Sequence, residues 1–173
     1  MVRAQSLAAC FVALILCCGC GKSEFGEYKE FKCEGGRFKV LMPGTPKEEK
    51  LTAAGIPLKT FRVESWDKGC AVAYADIPDE ILRYGSNSKK LDAAVDGMVN
   101  NVNAKLIRAY DIELAGKYPG REVKAELPNK SGIVVARIYL VRQRFYELLV
   151  TGPQSWATSA DANKFLDSFV LID

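Results

Sequence analysis

Arg121-Glu122-Val123-Lys124-Ala125-Glu126-Leu127, then Pro128-Asn129-Lys130-Ser131-Gly132, then Ile133-Val134-Val135-Ala136-Arg137-Ile138-Tyr139-Leu140-Val141 is the stretch whose reading decides the fold. Val123, Ala125 and Leu127 alternate with Glu122, Lys124 and Glu126, the period of a strand with one dry and one wet face. The polar segment after it is of hairpin length and ends on glycine. Arg142-Gln143 then leads straight into Arg144 to Thr151, so three strands follow one another as an antiparallel meander.

Working upstream, Lys105 to Leu114 carries a further strand signal, and before it Leu91, Ala94, Val95, Met98, Val99 and Val102 recur at helical spacing over about 89 to 103. Ser88 is the candidate cap, and Asn100, Asn101 and Asn103 loosen the far end. Pro78-Asp79-Glu80 opens a short helix or turn reaching Tyr84, since proline fits a first helical turn and acids favour its positive end. Cys70 to Ile77 reads as a central apolar strand. Strands at about 47 to 52 and 57 to 66 are split by Ala53-Ala54-Gly55, and Lys29 to Cys33 and Arg37 to Met42 pair across a tight turn at Glu34-Gly35-Gly36. Downstream, Gly152-Pro153 ends the meander, and Ala160, Asn163, Phe165, Leu166 and Phe169 predict a closing helix near 159 to 168, capped by Thr158 or Ser159. The class is α+β: an antiparallel β-sheet of several hairpin-connected strands packed with helices.

The other end of the chain carries an address. Arg3, the apolar run Leu7 to Cys18 and the closing Gly19-Cys20-Gly21 have the parts of a secretory signal. The run falls short of the roughly 20 residues that cross a bilayer. Cys20 resembles the acceptor cysteine of a bacterial lipoprotein signal, with the small Gly19 just before it. Cys18 is second choice, because Cys17 then stands where a small residue belongs. An ordinary secretory peptide or an uncleaved anchor is the remaining alternative. The expected organisation is a signal peptide over 1–19, a tether over 20–27 and one domain over 28–173. A chain acylated at Cys20 has the membrane as its partner through the lipid, on the periplasmic or cell-surface side, because each buried CH₂ adds about 0.8 kcal/mol of affinity.

The whole chain has 173 residues, a net charge of +3 and no histidine. Charges of both signs interleave without a basic block, which argues against nucleic acid. Without histidine the usual base of Ser-His and Cys-His catalysis and the commonest metal ligand are missing, no nucleophile elbow occurs, and a hydrolase built on Ser, Lys and carboxylates has no motif behind it. Gly21-Lys22-Ser23 resembles the end of a phosphate loop, but Leu16 stands where that pattern requires glycine. Asp76, Asp79 and Glu80 lack the spacing of a calcium loop and read as a strand end and a helix start. No enzyme activity, cofactor or metal is expected. Cys33 and Cys70, left over once the signal departs, are a candidate disulfide if their Cα atoms lie within about 7 Å; each also stands where a small apolar strand residue would serve. Arg121, Arg137, Tyr139, Arg144 and Tyr146, on adjacent strands of the meander, are the candidate face for a protein partner, since Arg and Tyr favour interfaces.

The opening Gly35-Gly36-Arg37-Phe38-Lys39-Val40-Leu41-Met42-Pro43-Gly44-Thr45-Pro46, the helix after a central strand, Tyr118-Pro119-Gly120-Arg121-Glu122, and the ending from Arg137-Ile138-Tyr139-Leu140-Val141 to Phe165-Leu166-Asp167-Ser168-Phe169 resemble the PsbP-like fold. Photosystem extrinsic proteins and a Ran-binding import factor share that fold, and the pattern looks like that of small bacterial lipoproteins carrying the domain. The resemblance implies a non-enzymatic binding or assembly module. The alternative is a carrier of a small apolar ligand between sheet and helix, with Phe61, Met98 or Phe165 lining its cavity.

Overall fold

The computed structural model describes residues 25–53 and 55–172; the expected signal peptide, Cys20 and residues 20–24 of the expected tether lie outside the described residues. Strands β1 (Lys29–Cys33) and β2 (Phe38–Met42) form a hairpin, joined on the free side of β2 by β10 (Val170–Leu171). A larger antiparallel sheet contains β3 (Lys47–Ala53), β4 (Ile56–Glu64), β5 (Gly69–Asp76), β6 (Lys105–Leu114), β7 (Tyr118–Glu126), β8 (Ile133–Val141) and β9 (Arg144–Gly152) in the order β3-β4-β5-β9-β8-β7-β6. The meander read from the sequence, β7 to β9, extends back to β6 in the structure. Its last strand, β9, closes against β5, and the crossover between β5 and β6 carries α1 (Asp79–Leu82) and α2 (Asn87–Asn101).

Three layers result, because β5 and β9 are buried on both faces. Cys70, Val72 and Tyr74 of β5 and Tyr146, Leu148 and Val150 of β9 face the small sheet and two C-terminal helices, α3 (Gln154–Ala157) and α4 (Ala160–Asp167). Ala73, Ala75, Phe145 and Leu149 face α2, whose Leu91, Ala94, Val95 and Met98 are buried against them. Ser86, not Ser88, caps α2, accepting from the Lys89 amide, and Ser159 caps α4 as the sequence suggested. The sequence reading missed α3 and β10, which have four and two residues; elements this short show no period.

Phe38, fully buried, ties the small sheet to the large one. Its ring lies 6.2 Å from Phe31, 6.4 Å from Phe61, 6.2 Å from Tyr74, 6.0 Å from Tyr146 and 5.4 Å from Phe169. Gly36 gives that ring its room: a Cβ there would fall 2.5 Å from the Phe38 ring and 2.9 Å from Tyr74. The left-handed position of the turn falls on Arg37, at φ 54°, so Gly36 is needed for close approach and not for turn geometry. Residues of the expected tether also pack on the fold: Phe25 lies edge-on against Trp156 at 5.2 Å, and the Gly26 amide donates to the Pro43 carbonyl.

Truncating Phe38 to alanine is expected to cost about 3–5 kcal/mol, read as a lowered urea midpoint with an unchanged m-value. A cost under about 1 kcal/mol would contradict the role given to this ring.

Candidate functional site

Proline ends β5's path at Ile77-Pro78, and α1 stops after one turn at Leu82, before Gly85 redirects the chain into α2. The short α1 leaves the end of the large sheet incompletely covered. There the structure has an apolar recess of about 280 Å³, floored by Ile56, Ala75, Ile77 and Phe145 and walled by Ile81, Ala93 and Ala94. Tyr84, largely exposed, and the side chains of Lys89 and Lys90 stand at its rim. The Lys90 amine donates to the Leu82 carbonyl at 2.8 Å and so holds α1 to α2. An apolar void of about 150 Å³ already admits benzene, so the recess has room for a small apolar molecule.

Behind the floor lies an uncompensated acid. Thr60, Ala73, Glu147 and Ile138 form one cross-strand row on the α2 side, and Ala75 and Phe145 of the recess form the next row, about 7 Å away. Glu147 is 1% exposed, and neither of its carboxylate oxygens has a protein hydrogen-bond partner, nor does the Thr60 hydroxyl. Burial in these apolar surroundings pushes the carboxyl up to about 8. The sequence does contain a signal for it, a single charge inside the apolar run Phe145 to Val150, which the sequence reading did not single out.

Of the five residues expected to form a partner face, Arg137, Tyr139, Arg144 and Tyr146 lie on one side of the large sheet and Arg121 on the other. Arg121 lies opposite Ile138 and points to the α2 side, where it meets Asp92 at 2.9 Å, Asp111 at 2.5 Å and Ser88 at 2.8 Å. Arg137 lies on the other side, between Glu122 at 2.8 Å and Asp167 of α4 at 2.7 Å. Arg144 bridges both oxygens of Asp76 at 2.6 and 2.8 Å, donates to the Gly35 carbonyl and stacks over Tyr74. Tyr139 and Tyr146 are buried beneath the small sheet, the Tyr146 hydroxyl donating to the Gly36 carbonyl. These side chains join layers of the same molecule. Phe61, Met98 and Phe165, expected to line a cavity, are packed in the two cores instead.

Cys33 and Cys70 are free buried thiols and form no disulfide. Cys33 ends β1 beside the Gly36 amide, which donates to its sulfur, and Gly36 packs on Tyr74. Cys70 stands four residues before Tyr74 on β5, about 13 Å away along the strand, beyond bridging distance. Burial pushes the Cys70 thiol up, which leaves it unreactive. Asp76 is held by Arg144, and Asp79 accepts from Gln143, so the acids at the start of α1 serve the fold. Among the described residues no group of three or more Cys, Asp or Glu side chains is arranged to hold a metal ion.

With this geometry in hand, the chain is similar to the solution structure of cyanobacterial PsbP (CyanoP) from Synechocystis sp. PCC 6803, at a TM-score of 0.60 and 15% identity over 90% of this chain and 96% of that one. The fold is PsbP-like and α+β. A Pseudomonas aeruginosa protein of unknown function, PA94, superposes more loosely, with a TM-score of 0.42 and 8% identity over 80% of this chain and 91% of that one. No protein-family model matches the chain, and no curated protein does.

The buried acid has a pH consequence. Glu147 keeps its proton in the folded chain up to about pH 8, whereas its ordinary value is 4.5, so between these limits the folded state binds a proton that the unfolded chain has released. Its contribution to stability is therefore complete below about pH 4.5 and is lost as pH rises through about 8, at up to about 1.4 kcal/mol per pH unit. Urea midpoints measured across that window are expected to fall in the parent chain and to fall less in Glu147→Gln, which cannot ionise; equal slopes would contradict the assignment.

Proposed function

We propose that this chain is an extracytoplasmic binding protein, anchored to its membrane by lipid at Cys20 and without catalytic activity, that holds a small apolar ligand between its large sheet and the α1–α2 corner. The observation that carries the reading is the recess floored by Ile56, Ala75, Ile77 and Phe145. Pockets for small molecules are concave and mostly apolar with few polar groups at the edge, and this recess has that character. The anchor reading rests on Arg3, the Leu7 to Cys18 run and Gly19-Cys20, and the PsbP-like fold is compatible with a binding role without assigning one. Lys89 and Lys90 at the rim suit a ligand whose exposed end is anionic.

The neutral dye phenylnaphthylamine tests the recess directly, because its fluorescence rises in apolar surroundings. The parent chain is expected to bind it, and Ala93→Trp, which fills the recess from the α2 side, to weaken binding by about tenfold or more. Ser155→Trp, on the exposed side of α3, is expected to leave binding unchanged. Equal binding by all three chains would remove the recess as the site.

A further inference from the structure

We infer that the domain docks on the lipid surface through one end of the large sheet, the end presenting Trp66, Leu106 and Ile107 with Lys68, Lys105 and Lys130. This rests on the anchored reading proposed above. Strand pairing puts these residues along one end of the sheet: Gly69 of β5 pairs with Thr151 of β9, Gly152 with Ile133 of β8, Ile133 with Glu126 of β7, and Glu126 with Lys105 of β6. The turn between β4 and β5 therefore shares an end with the β7–β8 loop and the start of β6. Contacts tighten the link, since a Cβ on Gly152 would meet Asp67, Lys68 and Trp156, and one on Gly132 would meet Gly152.

Trp66 is 91% exposed, yet its turn is fixed: the Ser65 amide donates to the Lys68 carbonyl at 2.8 Å, and the Ser65 hydroxyl donates to Asp67. A large aromatic ring held out in water by an ordered turn gains almost nothing from packing within the domain, which leaves its apolar surface for a contact outside it. Leu106 and Ile107, 43% and 53% exposed, stand at the other side of the same end. Trp suits the headgroup zone of a bilayer, and lysines are drawn to anionic headgroups. Glu64, which pairs with Gly69 and meets Arg62, and Asp67 and Glu126 are acids at this end.

The chain itself names the occupant. It enters the domain here, with Phe25 packed on Trp156 and Lys68 lying 5.5 Å from the Phe25 ring and 4.8 Å from that of Trp156. Five Cα–Cα steps lead from Cys20 to Phe25, a reach of at most about 18 Å. An acyl group at Cys20 thus keeps this end within reach of the headgroups.

The chain has two tryptophans, so Trp156→Phe leaves Trp66 as sole reporter in the full acylated protein. Reconstituted in vesicles of phosphatidylethanolamine and phosphatidylglycerol, it is expected to show blue-shifted Trp66 emission, quenched by acyl-brominated lipid and shielded from iodide. Lys130→Ala is expected to lower the ratio of docked to undocked domain about fivefold, as for loss of one cation near an anionic surface. A nitroxide on Ile107→Cys reports the same insertion with both tryptophans in place. Mass spectrometry of the N-terminal peptide is run alongside. Acyl mass at Cys20 with Trp66 and position 107 fully water-accessible would overturn the docking and leave the anchor standing; absence of the acyl mass would overturn the anchor and the docking together.

Discussion

Everything in this fold depends on two strands, β5 and β9, being dry on both faces, because a sheet so buried needs a cover on each side. The Leu91 to Met98 stripe of α2 covers one face. On the other, Phe38 carries the β1–β2 hairpin into a nest of rings from Phe31, Phe61, Tyr74, Tyr146 and Phe169, and α4 closes beside it with Phe165. The Gly35-Gly36-Arg37-Phe38 motif thus acquires a physical meaning: Gly36 vacates the space the Phe38 ring needs.

The arginines of the meander act within the same scheme. Arg121 ties α2 to β6 and β7, Arg137 ties α4 to β7, and Arg144 ties the end of β5 to the β1–β2 turn. Each guanidinium is mostly buried, and of the acids it meets only Glu122 is as buried, the aspartates lying nearer solvent, a setting in which Arg is favoured for its fixed fork of donors. The molecule is held together by aromatic packing at its centre and by charge-assisted hydrogen bonds at the seams between layers. The α1–α2 corner has a sparser seam. Only the Lys90 bond to Leu82 is recorded between the two helices among the described residues, and the recess lies there.

What could be read from the sequence follows from where periodicity survives. The alternation of Val123 and Ala125 with Glu122 and Lys124 placed β7, and the spacing from Leu91 to Val102 placed α2, because each has one dry face and one wet. The same logic misled for Arg121, Arg137 and Tyr139. In a three-layer fold both faces of a central strand are covered, so alternation separates the two faces without saying that either is outside, and register between strands decides that Arg121 and Arg137 part company. The Cys33 and Cys70 pairing was undecidable for a like reason, since it depends on position along β5. The recess arises from a helix of four residues that ends too soon, and a helix of one turn leaves no hydrophobic period to read.

The central claim is that an apolar molecule occupies the α1–α2 corner. Methyl-labelled NMR of the chain, titrated with the apolar extract of the membranes from which it is recovered, tests it most directly. The account predicts intermolecular contacts to the methyls of Ile56, Ala75, Ile77 and Ala93, with those of Val40, Val72 and Val150 in the opposite core unaffected. Contacts confined to the opposite core, or none at saturation, would contradict it.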